Sequence, residues 1–250
     1  MSDNTPLNSE QHGHLRETPD LDLRRYREHH FVPIVLQDFY TLATEFVLPF
    51  VRAGETGEFV PVAMMGLNKG SNLYCQEDRW PVHVVPIGFT LDPLAVTRFD
   101  PETNEAVIAI DESSPRLSHS EGEALYDADG NQTAYLQRRI ERLIDVARQS
   151  LQTQSLCRYL AAHKLFKQQP ITLQHRDDGP RYEIEGVYTI DEERMRQLSG
   201  DEFQELRMRG LLPIIYSHLT SLQQLNRLSG LQYRADKAAS QSAAGQSAVP

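Results

Sequence analysis

The stretch Leu94–Ile110, LAVTRFDPETNEAVIAI, decides the fold class. Two short runs rich in Val, Ile and Phe, Leu94–Phe99 and Ala106–Ile110, are punctuated by Asp92-Pro93 and Asp100-Pro101. Branched and aromatic side chains suit a pleated, half-buried surface, and Asp-Pro pairs initiate turns. The pattern predicts consecutive antiparallel strands, and Val82–Phe89 upstream has the composition to join them in a meander.

Working outward, Phe31–Ile34 reads as an extended entry, followed by apolar residues at Leu36, Phe39, Tyr40, Ala43, Phe46 and Val47. That spacing predicts one face of a helix, stopped before Pro49, which has no N–H to donate. Gly54 and Gly57 mark a turn into a predicted strand over Phe59–Leu67, where Pro61 implies a sheet edge or a bulge. On the other side, Asp127–Gly130 predicts a turn, and Tyr135, Ile140, Leu143, Ile144, Ala147 and Leu151 begin a long helical stretch. It is expected to break near Gln152–Ser155 and resume through Leu156, Tyr159, Leu160 and Leu165. Ile171–Leu173 and Tyr182–Tyr188 predict a hairpin around Asp178-Gly179-Pro180. Asp191 is placed to cap one short helix and Asp201 a second that ends at Gly210. A third, with Pro213 in its first turn, turns Ile215, Leu219, Leu222, Leu225 and Leu228 inward and stops at Gly230. Strands first and helices later, without βαβ alternation, predict an α+β fold. Its antiparallel sheet, in the N-terminal half, would pack with a helix-rich C-terminal half.

The composition bounds the rest. With 40% hydrophobic and 24% charged residues, the 250-residue chain is ordinary for a globular protein. Residues 1–25 are polar and predict a disordered arm, 26–233 a folded domain, and 234–250 a disordered Ala/Ser/Gln tail. No apolar run approaches the roughly 20 residues that span a bilayer. The N-terminus has neither the basic nor the apolar region of a Sec-type signal, and two cysteines, Cys75 and Cys157, offer no disulfide framework. A cytoplasmic location is therefore expected. A net charge of −10 without a sustained Lys/Arg cluster argues against a nucleic-acid partner.

Few motifs carry chemistry. Gly66–Ser71 has the composition of a phosphate loop but not its order, and reads as a tight turn joining two strands. There is no GxGxxG, CxxC, HExxH or GxSxG. His119-Ser120-Glu121 matches the first half of a two-histidine, one-carboxylate iron site, with His175 or His218 as nominal third ligand. A long helical region separates these positions, so no metal or cofactor is expected; His119, Glu121 and His175 form the alternative metal set. Asp127–Gly130 resembles half a calcium loop without its distal acidic ligand. Cys75 could meet His83 only if adjacent strands brought them together, and a cysteine in an apolar strand is ordinarily packing. What remains is Asn68–Phe89, where Asn72, Tyr74, Trp80 and His83 are the candidate binding residues. Trp80, the single tryptophan, follows a turn-like Gln76–Arg79. It could line a pocket or anchor a partner protein or small ligand, or it could close the core over a hairpin.

A set of short matches gives the chain a relative. In order they are Glu45-Phe46 with Leu48-Pro49-Phe50, Gly66-Leu67, Asn72-Leu73-Tyr74, Trp80, Val85-Pro86 and Phe89. Glu123-Ala124-Leu125-Tyr126 with Asp129-Gly130 and Gly186-Val187-Tyr188 with Ile190-Asp191-Glu192 come next. Gly210-Leu211-Leu212 then leads into IYSHLTSL over 215–222. Along nearly the whole folded part the chain resembles the SapC family of bacterial proteins, departing from its pattern at Ile87-Gly88. The resemblance implies an association with bacterial surface-layer production or export and brings no reaction or catalytic residue. A non-catalytic binding or accessory protein is the expected class; the alternative is an enzyme with a dispersed His/acidic site.

Overall fold

The computed structural model describes residues 4–75, 80–175 and 179–246. The turn-like Gln76–Arg79 and the Asp178 of the predicted hairpin turn lie outside the described residues. Where one domain over 26–233 is expected, the contacts group the chain into two compact units. Residues 1–23 and 87–152 form one; 24–86 and 153–250 form the other.

In the first unit the deciding stretch is a hairpin. Leu94–Asp100 pairs antiparallel with Glu105–Asp111, from Leu94 opposite Ile110 to Asp100 opposite Glu105, with an irregularity between Val96 and Arg98. A third strand, Asn4–Pro6, pairs with the other edge of Glu105–Asp111. The strand expected over Val82–Phe89 is absent: the segment bends and then enters a short helix, Ile87–Thr90. Pro81 and Pro86 explain the difference, since neither can donate to a ladder.

Residues 4–23, expected as an arm, join this unit. Arg16–Glu17 is the middle strand of a small ladder, between Leu117–Ser118 and Glu123–Ala124. The polar residues that suggest mobility are satisfied inside. Buried His12 bonds Asn8 and Glu112, and fully buried Glu17 places Oε1 2.7 Å from Arg116 and 3.0 Å from Arg139. Gly122 has φ +91, and a Cβ there would lie 2.2 Å from the Glu17 carbonyl, so only glycine fits beside this strand. Leu15, Leu94, Ile110, Leu125, Tyr126, Leu136 and Leu143 make the core of the unit. The predicted turn at Asp127 forms, its Oδ1 accepting from the Asp129 and Asn131 N–H groups at 3.0 and 2.8 Å. The helix that follows, Ala134–Ala162, runs 29 residues without the expected break. Gln152–Ser155 contains neither Gly nor Pro, so nothing in it interrupts the backbone bonds.

The second unit is built on a five-stranded antiparallel sheet. Its order is Phe166–Gln168, Val187–Ile190, Phe50–Arg52, Phe59–Met64 and Phe31–Pro33. Phe59–Met64 therefore has neighbours on both sides, and Pro61 is not at an edge. It sits opposite Phe50, and on its other side its carbonyl accepts from Ile34 N–H at 3.1 Å, just where Phe31–Pro33 ends. The Gly66–Ser71 turn leads into a 3-10 turn at Leu73–Cys75 rather than a second strand. The first predicted helix is short, Asp38–Leu42, although Phe39, Leu42, Phe46 and Val47 are all buried.

The predicted Tyr182–Tyr188 strand is two strands separated by Gly186 at φ +74. Arg181–Ile184 forms the hairpin with Ile171–Gln174, and Val187–Ile190 enters the large sheet. Asp191 caps Glu192–Arg196 as expected. The next helix, Gly200–Met208, is capped by Ser199 rather than Asp201, through a reciprocal box with Glu202. Leu211–Ser221 follows, and after a 3-10 turn at Leu222–Gln224 a last helix, Leu225–Gln246, runs through Gly230 and most of the expected tail. A single interior glycine costs a helix only about 1 kcal/mol, and the Ala-rich sequence beyond it favours helix. Among the described residues, no helix is long and apolar enough to cross a membrane.

His218 ties this unit together. Its Nδ1 meets the Leu48 carbonyl at 2.7 Å, and its Nε2 accepts the Ile190 N–H at 3.1 Å. Both contacts hold only for a neutral ring protonated at Nδ1. Burial pushes its pKa down to about 4.

Candidate functional site

The structure brings three of the four predicted binding residues together, as packing. Asn72 is fully buried: its Nδ2 donates to the Tyr26 carbonyl at 2.9 Å, and its Oδ1 accepts from Tyr74 N–H at 2.9 Å. Tyr74 is also buried, its hydroxyl donating to the Glu45 carbonyl at 3.1 Å, and burial holds its phenol above the usual range. Trp80 is half-buried, with its ring 5.8 Å from Tyr74 and 6.1 Å from Phe46 and its Nε1 donating to the Val84 carbonyl at 2.9 Å. His83 is exposed. The polar atoms of this cluster are turned onto the backbone, leaving Trp80 and His83 as its outward part.

The alternative metal set does not assemble. His119 stacks on His14 with centroids 5.0 Å apart, Glu121 is exposed, and His175 belongs to the second unit. Among the described residues, no group of three or more His, Cys, Asp or Glu is placed to hold a metal ion. Cys75 lies in a 3-10 turn and His83 in a bend, so the adjacent strands that would have brought them together are not formed. Burial pushes the Cys157 thiol up to about 12, the setting of a packing residue and not of a nucleophile.

A different site emerges within the second unit. A small cleft with a cavity volume of about 20 Å³ lies between the hairpin and the last helix, with Leu67 among its lining residues. Ser229, Gln232, Tyr233 and Asp236 recur at spacings of three and four and so share one helix face. Tyr182 comes from the hairpin, and its hydroxyl donates to Asp236, 2.8 Å from Oδ1 and 2.7 Å from Oδ2. Gln232 Nε2 donates to Asp236 Oδ1 at 2.8 Å. His175 stacks on Tyr233 with centroids 4.5 Å apart, and its Nδ1 lies 3.3 Å from Ser229 Oγ.

Two features of this cleft have chemical meaning. The Tyr182 phenol is pushed up to about 12, by burial first and then by the Asp236 carboxylate, so it stays protonated and serves as a donor. Gln232 is 6% exposed, yet among the described residues its Oε1 has no hydrogen-bond partner. The assignment of that atom follows from its neighbour. A carboxylate only accepts, so the amide end facing Asp236 must be the NH2 and the oxygen must face away.

Sequence reasoning missed this site because it ended the helix at Gly230 and the folded chain at 233. The available signal was the continuation of Leu225 and Leu228 into Gln232 and Asp236 at helical spacing.

These features define a mixed α+β protein with a small polar cleft walled by aromatic rings. The chain belongs to the SapC family, whose model matches residues 7–228. That span ends just before Ser229, so the helical wall of the cleft lies beyond it. No curated protein and no solved structure matches the chain.

Proposed function

We propose that this SapC-family chain is a non-catalytic binding or accessory protein, with its ligand seat in the cleft between the hairpin and the last helix. The observation that carries the reading is the buried Gln232, whose Nε2 donates to Asp236 while its Oε1 has no partner among the described residues. Leaving such an acceptor unmade costs about 1–3 kcal/mol, which a bound donor would recover. The protonated Tyr182 and the stacked His175–Tyr233 pair add fixed polar and aromatic walls, the usual composition of a ligand site. The net charge of −10 supports a partner other than nucleic acid. The family resemblance supplies the biological setting, surface-layer production or export, served from a cytoplasmic location.

The enzymatic alternative draws on one observation, that His175 and Asp236 line the same cleft. Native mass spectrometry with elemental analysis on freshly purified full-length protein separates the two. A retained or added organic ligand without stoichiometric metal supports the binding reading. A stoichiometric metal would favour the enzyme, and a protein that takes up no small molecule would count against the cleft. Cell fractionation tests the location, and recovery outside the cytoplasm would overturn it.

A further inference from the structure

We infer that the cleft selects a primary alkylammonium group, either of a free diamine or of a lysine side chain. This rests on the cleft being a binding site and names the chemistry it takes. Its acceptors are the Asp236 carboxylate and the lone pairs left on the Tyr182 hydroxyl oxygen, side by side, with the Gln232 Oε1 at the far end of the amide that donates to Asp236. Among the described residues Asp236 forms no ion pair, so its charge is met only by neutral donors. An ammonium carries three donors and a charge on a narrow apolar stem. A guanidinium fits less well, because its planar fork needs both carboxylate oxygens and Tyr182 already engages both. An anion would meet the Asp236 carboxylate and the orphaned acceptor with no Lys or Arg among the described lining residues to offset them. Tyr182 and Tyr233, both lining the cleft, add aromatic surface that favours a cation and its alkyl stem. Leu67 and Leu173 supply apolar contact for that stem.

The test is a titration of the full-length protein followed by amide NMR, with four probes: 1,5-diaminopentane, Nα-acetyl-lysine amide, Nα-acetyl-norleucine amide and Nα-acetyl-glutamate amide. The two ammonium probes are expected to shift the Ser229, Gln232 and Tyr233 signals, at least about tenfold more tightly than the neutral or anionic probe. The tighter of the two identifies the source, free diamine or lysine side chain. Asp236→Asn and Gln232→Leu should each weaken the ammonium probes about tenfold; if either variant fails to fold, the probe series on the unaltered protein still decides. Equal or tighter binding of the norleucine or glutamate probe at these signals overturns the ammonium selectivity while leaving the cleft as a site. No shift at these signals with any probe at millimolar concentration overturns both.

Discussion

Tyr182 and Asp236, 54 residues apart, meet with the phenol hydroxyl shared between both carboxylate oxygens at 2.8 and 2.7 Å. The contact fastens the last helix to the hairpin and sets a donor beside a negative charge. Tyr182→Phe removes it and should cost about 1 kcal/mol at neutral pH, read from urea unfolding. Because the folded-state pKa is raised, the contribution is present below about pH 10 and lost as pH rises toward about 12. The unaltered protein should therefore lose stability more steeply than Tyr182→Phe in that window. Parallel pH profiles would contradict the assignment.

His218 predicts sensitivity at the other end of the scale. Its pKa is depressed to about 4, so the ring is neutral in both folded and unfolded chains above about pH 6.5. As pH falls from there toward 4, the unfolded chain takes up a proton that the folded one refuses. The contribution then declines by up to about 1.4 kcal/mol per pH unit, about 3 kcal/mol across the window. Ring-proton NMR should show His218 untitrated at pH 5, and a normal titration near 6.5 would refute its placement.

Glu17 lies fully buried between two guanidiniums. Burial pushes its carboxyl above the usual value, opposed by the charges of Arg139 and Arg116. Arg139 also donates to the Thr90, Leu91 and Asp92 carbonyls at 2.9 Å, so one ionised group organises several turns of the first unit. Glu17→Gln keeps the shape but strands the buried positive charges, and should cost about 3–5 kcal/mol. A loss below about 1 kcal/mol in denaturant unfolding would show that the carboxylate is dispensable.

Trp80 is half-buried against Phe46 and Tyr74, with its Nε1 bonded to the backbone. Trp80→Ala should lower stability by about 2 kcal/mol, below the roughly 3–5 kcal/mol of a fully buried large ring, with the far-UV spectrum preserved. An unchanged unfolding midpoint would return Trp80 to the role of an exposed anchor for a partner.

The fold class was legible because the Leu94–Ile110 pattern is local: two β-rich runs and an Asp-Pro turn need no distant partner to be recognised. The Asp191 cap and the Asp127 turn were legible for the same reason, each acting within three or four residues. What escaped was long-range. Nothing near Glu17 in the sequence announces Arg116 and Arg139, so a polar segment reads as mobile until its partners are in place. Propensity alone makes Gly230 a helix stop and Pro61 the mark of a sheet edge or a bulge, yet the last helix runs through Gly230 and the Pro61 strand has neighbours on both sides. The assumed helix stop also hides the cleft residues Gln232 and Asp236, whereas Asn72, singled out as a polar side chain among aromatics, spends its hydrogen bonds on the backbone.

The pairing of Asn4–Pro6 with Glu105–Asp111 places a timing constraint on synthesis. The first strand leaves the ribosome roughly a hundred residues before its partner. At about 5–20 residues per second that is a wait of about 5–20 s. Meanwhile Arg16–Glu17 is also without Leu117–Ser118 and Glu123–Ala124. The polar character of the N-terminal segment, which disguises its place in the fold, also keeps the waiting chain soluble, with few apolar side chains to aggregate before its partners arrive.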